Sequence, residues 1–302
     1  MKRKLVKQGR NALTITLPAE WTKKFGLKAG DEVDVQDIKN NISVSVEKNQ
    51  EMGKKIIDVS GLGPMTKRIL GAIYKAGYDE VEVRFETPEE LEMVQNIVRQ
   101  EFIGFETVHH SRNSLVFKQV ASIDPNEFNT MVRRMFLIIK SMGEDCAAAI
   151  RKKDNNLLKM VSLRDKDVNN IADYCRRLIN SYSHQIEGRA CPLYFIIEQV
   201  EKIGDLYKGL CNFLIENRYD ANGDLAEILE QTNLFFDDFY NAYFNFDVRK
   251  MPIFLNNKNK LIKRLDALSD KSSKEEYALL FYIRSMVDQI YDMNGSLMST
   301  KL

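Results

Sequence analysis

The 302 residues include a single tryptophan, six prolines, three histidines and four cysteines. So few prolines and only fifteen glycines, beside 44% apolar and 29% charged residues, leave no room for a long disordered tract. Cys146, Cys175, Cys191 and Cys211 show no C-x-x-C spacing and sit among helical apolar residues. They read as reduced, buried thiols of a cytoplasmic protein rather than as a zinc site or disulfide framework. No apolar run approaches the roughly 18 to 20 residues that span a bilayer, so membrane insertion is not expected. MKRKLVKQGRN opens the chain with charge but without the apolar stretch of a secretory signal. There is no P-loop, and no serine or cysteine has a base at recognisable spacing, so an enzyme is not expected.

A net charge of +1 hides an uneven distribution. Residues 1–49 hold ten Lys or Arg against six Asp or Glu, residues 50–123 nine against eleven, and the remainder twenty-five against twenty-six. Lys2, Arg3, Lys4, Lys7 and Arg10 supply most of the N-terminal excess. A basic end on a near-neutral body points to a polyanion contact there.

Three segments follow from the periodicity: 1–50, 51–122 and 123–302. In the first, Leu13, Ile15 and Leu17 alternate with threonines up to Pro18, Ala19 to Phe25 reads as a helix closed by Gly26, and Glu32 to Gln36 and Ile42 to Val46 read as strands around an Asn40-Asn41 turn. Fewer than fifty residues with this little apolar surface predict dimerisation. The second segment reads as a small β-α-β-α-β-β module, with helices from Met65 to Ala76 and from Pro88 to about Phe102. The glycines of Gly61-Leu62-Gly63 read as an ordinary strand-to-helix turn rather than an anion site. From Asp124 the period is helical throughout, and six helices fit, at roughly 125–152, 155–182, 190–218, 223–247, 251–268 and 272–298.

The third segment contains its own duplication. LYFIIEQVEKIGDL, Leu193 to Leu206, matches LFYIRSMVDQIYDM, Leu280 to Met293, at five identical and four conservative positions, 87 residues apart. Two three-helix units packed side by side are the natural architecture. Each copy places two acids at i and i+4 on one helix face, Glu201 with Asp205 and Asp288 with Asp292, so each pair could converge on a single cation. The aromatics from Phe235 to Phe246 are predicted to form core and dimer surface.

Leu17 to Val35, LPAEWTKKFGLKAGDEVDV, resembles the SpoVT/AbrB-like swapped-hairpin family through Pro18, Gly26, Gly30 and Asp31. That resemblance implies an interlocked β homodimer that lays basic side chains on DNA, with the contacts falling on Arg3, Arg10, Lys23 and Lys24. The repeat around VEKIGD, Val200 to Asp205, and its echo VDQIYD resembles PhoU, a tandem pair of three-helix bundles linked to phosphate regulation. Both modules on one chain, joined by an α/β segment, resemble the archaeal-type PhoU-like regulators. The implied fold is multi-domain: a swapped-hairpin β domain, a small α/β domain and an all-α bundle. The implied function is a cytoplasmic, DNA-binding transcriptional regulator of phosphate uptake. The alternative is an accessory that docks on a phosphate transporter or sensor kinase and uses its N-terminal module only to dimerise.

PhoU-like bundles hold metal ions, divalent or iron, between facing carboxylates. By that resemblance Asp165, Glu201 and Asp205 would ligate in the first unit, with Asn169 where an acid is usual; its carbonyl still ligates a hard cation but adds no charge. In the second unit Asp288 and Asp292 face a helix segment with three lysines and no acid, Asn256 to Lys263, which favours an ion-pair network.

Overall fold

The computed structural model describes residues 2–10, 12–38, 41–46, 53–121, 124–183, 185–218, 223–270 and 272–302. By internal contacts the chain divides into two compact units, Met1–Glu51 and Met52–Leu302.

In the first unit, β1 (Val6–Gln8) and β2 (Ala12–Thr14) form an antiparallel hairpin whose turn holds Gly9 at φ +71°. The alternation continues through Ile15 and Leu17, but the strand stops at Thr14 because its last partner is Val6, where β1 begins. Pro18 is extended and leads into α1 (Ala19–Phe25). Gly26 ends that helix in the left-handed region, and the Leu27 N–H donates back to the Thr22 carbonyl. β3 (Asp34–Ile38) and β4 (Asn41–Ser45) pair antiparallel with Val35 opposite Val44. Asn40 of the expected turn lies outside the described residues. No residue of this unit whose burial is described is buried. Leu5, Val6, Leu13, Ile15, Val35 and Ile42 are each 55–71% exposed.

The second unit begins with a four-stranded sheet in the order β5-β6-β8-β7. β5 (Lys54–Asp58) runs parallel to β6 (Glu80–Arg84), which pairs antiparallel with β8 (Ser114–Gln119), and β8 with β7 (Phe105–His110). α2 (Met65–Ala76) and α3 (Pro88–Glu101) supply Leu70, Tyr74, Val94 and Val98 to a core shared with Val83, Leu115 and Phe117. α3 starts on a capping box between Thr87 and Glu90. Glu90 also accepts the Gly61 N–H at 2.7 Å, so the turn before α2 is occupied by the chain's own carboxylate.

The bundle comprises α4 (Phe128–Lys152), α5 (Asn155–Tyr182), α6 (Ala190–Glu216), α7 (Gly223–Phe244), α8 (Met251–Ser269) and α9 (Lys274–Lys301). Asp124 caps a short 3-10 turn, Pro125–Glu127, that feeds α4 rather than capping α4 directly. α6 packs on α9 and α4 on α7, so the two trios meet through equivalent helices. The heptad seams, Leu193, Ile196, Val200, Ile203, Tyr207, Leu210 and Leu214 with Leu280, Ile283, Val287, Ile290 and Leu297, are buried. Phe235, Phe236, Phe239 and Tyr243 are also buried, with Phe136 lying 5.4–6.1 Å from Phe236, Phe239 and Tyr243 ring to ring. These aromatics close the chain's own core, as expected, while Tyr240, Phe244 and Phe246 stay partly exposed at its edge. Cys191 is exposed at the start of α6, whereas Cys146, Cys175 and Cys211 are buried. The first turn of a helix projects beyond the packed seam, so the expectation of four buried thiols holds for three.

The sheet module keeps a separate apolar core but docks on the bundle, α2 against α5. The contact is polar. Lys166 Nζ reaches Gln100 Oε1, Asn170 donates to the Gln100 carbonyl, Lys75 pairs with Asp173 at 3.5 Å and Asn180 donates to the Lys75 carbonyl. At its centre Arg177, 1% exposed, donates to the carbonyls of Tyr74 and Tyr78, to Asp79 Oδ1 and to Gln119 Oε1 at 2.6–2.9 Å. Its guanidinium also lies 4.9 Å from the Phe105 ring centroid.

Candidate functional site

One face of α5 carries Asp165, Asn169 and Arg176, spaced at helical turns, and it packs against the face of α6 that carries Glu201, Asp205 and Lys208. Gly204 brings the two helices close. A Cβ there would lie 3.1 Å from Ile139 Cδ1 and 3.7 Å from Asp165 Oδ1. Asp165 is consequently 2% exposed.

The acids do not converge as one i, i+4 pair. Asp165 Oδ2 accepts from Lys208 Nζ at 2.7 Å and from Asn169 Nδ2 at 3.1 Å. The other oxygen of Asp165 and the Asn169 carbonyl oxygen are buried with no hydrogen-bond partner. Asp205 is exposed on its outer side but lies beside Asp165; partial loss of water there, followed by that neighbouring carboxylate, pushes its pKa up. Glu201 turns instead toward Arg176, 3.5 Å away. Burial raises the Glu201 pKa, and Arg176 offsets only part of the rise. Arg176 also pairs with Asp173 at 3.0 Å and hydrogen-bonds Glu198. Five carboxylates therefore share this seam with Arg176, Lys208 and, through Asp173, Lys75.

The second copy differs. Asp288 lies 3.9 Å from Lys258 Nζ, and Asp292, exposed like Asp205, has no buried carboxylate described beside it. Tyr291 stands where the first copy has Gly204, and Gly295 where it has Lys208. The tyrosine ring takes the space of the close approach and lies under Lys258, 5.2 Å from its ammonium. Sequence reasoning named the acids but missed Arg176 and Lys208; the i, i+3 spacing of Asp205 and Lys208, and the helical spacing of Asp165 to Arg176, were the available signals.

A metal fits the first copy better than the second. Its donors are all oxygens, as a hard cation requires, and two of them are buried without a partner. Among the described residues no three His, Cys, Asp or Glu side chains gather tightly enough to ligate one ion. The first-copy set is two carboxylates and one amide carbonyl, with Glu201 held a turn away.

In the N-terminal unit, Arg3 precedes β1, Arg10 lies in the β1–β2 turn, and Lys23 and Lys24 occupy the last turn of α1; all four are exposed. Lys24 Nζ rests 5.5 Å from the Phe25 ring centroid.

A duplicated three-helix bundle behind a sheet module and a small β-rich unit defines a modular, multi-domain chain, and no described helix is long and apolar enough to cross a membrane. The sequence model of the PhoU domain matches residues 132–213, and one described as antidote-toxin recognition MazE, bacterial antitoxin, matches residues 6–48. The chain is PhoU-like, with a MazE/AbrB-like N-terminal domain. Its fold is similar to the phosphate transport system regulatory protein PhoU from Streptococcus pneumoniae, with 14% identity, a TM-score of 0.50 and coverage of 58% of this chain and 93% of that one. A putative PhoU-like phosphate regulatory protein from Shewanella oneidensis MR-1 aligns at 11% identity and TM-score 0.40 over 58% of this chain and 97% of that one. No curated protein sequence matches the chain.

Proposed function

We propose that this protein is a homodimeric, cytoplasmic, DNA-binding regulator of phosphate uptake whose bundle senses cellular status. The observation that carries the proposal is the N-terminal unit. Six of its apolar side chains are more than half exposed within one chain, and Arg3, Arg10, Lys23 and Lys24 are exposed on the same small unit. Burying six such side chains contributes roughly 1.5–3 kcal/mol each, which is ample to hold a second copy. Two copies double the basic groups available to phosphates.

In the bundle, Asp165, Asn169 and Asp205 would hold a divalent cation, with Glu201 beside them. A bound cation there would supply the second positive charge that two facing carboxylates with one ammonium, Lys208, leave uncompensated. The second copy, with Lys258 over Tyr291 and beside Asp288, is an ion-pair surface.

The alternative is an accessory that docks on a phosphate transporter or sensor kinase and keeps the N-terminal unit for dimerisation alone. DNA retention across a salt series separates the two. A regulator loses affinity steeply with salt, and Lys23→Ala with Lys24→Ala lowers the log–log slope by about one per phosphate contact removed. A dimer that retains no DNA at low salt would leave the accessory reading standing.

A further inference from the structure

We propose that Lys208 is the resident cation of the first-copy carboxylate site, and that a divalent ion must displace its ammonium to bind there. This rests on the reading above that Asp165, Asn169 and Asp205 form a cation site.

The two basic groups on this seam are built differently. Arg176 is 3% exposed and fixed among Asp173, Glu198 and Glu201, so it cannot leave without stranding Glu198 and Glu201. Lys208 makes one ion pair, to Asp165 Oδ2 at 2.7 Å, and its side chain is 44% exposed. A flexible four-carbon stem with solvent on one side can swing its ammonium out. Asp165, 2% exposed, cannot follow it into water. Once Lys208 leaves, the buried carboxylate requires another cation.

That replacement has a place to bind. Asp165 Oδ1 and Asn169 Oδ1 are buried and unpartnered, and Asp205 lies against Asp165. Releasing Lys208 leaves Asp165 Oδ2 with only the Asn169 amide as donor. Ammonium and metal thus compete for one carboxylate, and metal affinity is reduced by the fraction of time Lys208 occupies it. The second copy has Gly295 at the position of Lys208 and Tyr291 at that of Gly204. The competition therefore belongs to the first copy alone. It keeps the site satisfied in the absence of metal and sets the metal concentration at which it responds.

The test is calorimetric titration of the full-length protein with Mn2+, in wild type, Lys208→Met, Lys208→Arg and Asp165→Asn, with thermal melting of each metal-free and metal-loaded. Lys208→Met is expected to bind Mn2+ at least tenfold more tightly than wild type. Its metal-free melting temperature should fall, and Mn2+ should restore it. Lys208→Arg, which retains a cation, is expected to stay near wild type, and Asp165→Asn to lose the site. Equal Mn2+ affinity in wild type and Lys208→Met, with Asp165→Asn still losing it, overturns the competition and leaves the metal reading intact. If none of the folded variants binds Mn2+, the metal reading fails and the displacement with it. Should Lys208→Met not fold, Lys208→Gln gives the same comparison.

Discussion

Replacing Arg177 with methionine is expected to loosen the sheet module from the bundle while leaving the bundle intact. Methionine keeps much of the stem packed beside Tyr74 and Phe105 but removes all four hydrogen bonds, two of them to backbone carbonyls. Charged hydrogen bonds counted singly contribute about 1.5–3 kcal/mol each. The sum overstates the loss, because burial already pulls the Arg177 pKa down and Asp79, at 23% side-chain exposure, regains water. A net loss of about 3–5 kcal/mol, typical of a buried ion pair stripped of one partner, is the working figure. The two apolar cores are separate, so the loss should fall on the module alone. Hydrogen exchange read by mass spectrometry tests this segment by segment. Amides of α2 and β6 should exchange at least about a hundredfold faster, since each 1.4 kcal/mol is a factor of ten, and those of α6 and α9 should be unchanged. Exchange of α2 and β6 within about threefold of wild type would refute the reasoning, as would equal loosening of α9.

Ile15→Asp places a charge on the apolar surface of the N-terminal unit and is expected to convert the dimer to monomer in sedimentation, abolishing DNA retention at low salt. Burial raises the Glu201 pKa above its unfolded value, so ionising it destabilises the fold: its favourable contribution is complete below the unfolded pKa and is lost as pH rises through the folded one. Glu201→Gln should therefore gain stability relative to wild type at pH 7, and that gain should shrink as pH falls through the raised folded pKa and be gone by the ordinary glutamate value, read in parallel urea titrations. A thiol reagent should modify one cysteine in the native protein, Cys191, and four after denaturation, because the Cys211 thiol and burial push Cys146 up, burial pushes Cys175 up, and burial hides the sulfurs.

Local rules explain why so much of the fold was legible in the chain. α1 begins after Pro18 and ends at Gly26, α2 runs from Met65 to Ala76 before Gly77, and α5 begins beside Asp154. Each boundary is set by a residue that either lacks a donor, tolerates positive φ or caps amides, and such residues act on their own neighbours. The heptad seams were legible for the same reason, since a 3.6-residue period needs no knowledge of the partner helix. The duplication marked α6 and α9 as equivalent helices, and the structure showed that they pack on each other.

Which groups met across helices was not written in any local pattern. Glu201 and Asp205 share a helix face, yet one turns to Arg176 and the other to Asp165 and Lys208, because α5 presents its cation and its buried acid at different heights along α6. Arg177 carries no local signal in the sequence; the sheet module covers it and supplies its acceptors from three separate segments. By itself the sequence determined the elements, their caps, the repeat and the basic opening segment, all of which depend on neighbours within a few turns. The tertiary structure alone decided the ionic partners, since an ion pair forms between side chains that packing brings within about 4 Å, however far apart they lie along the chain.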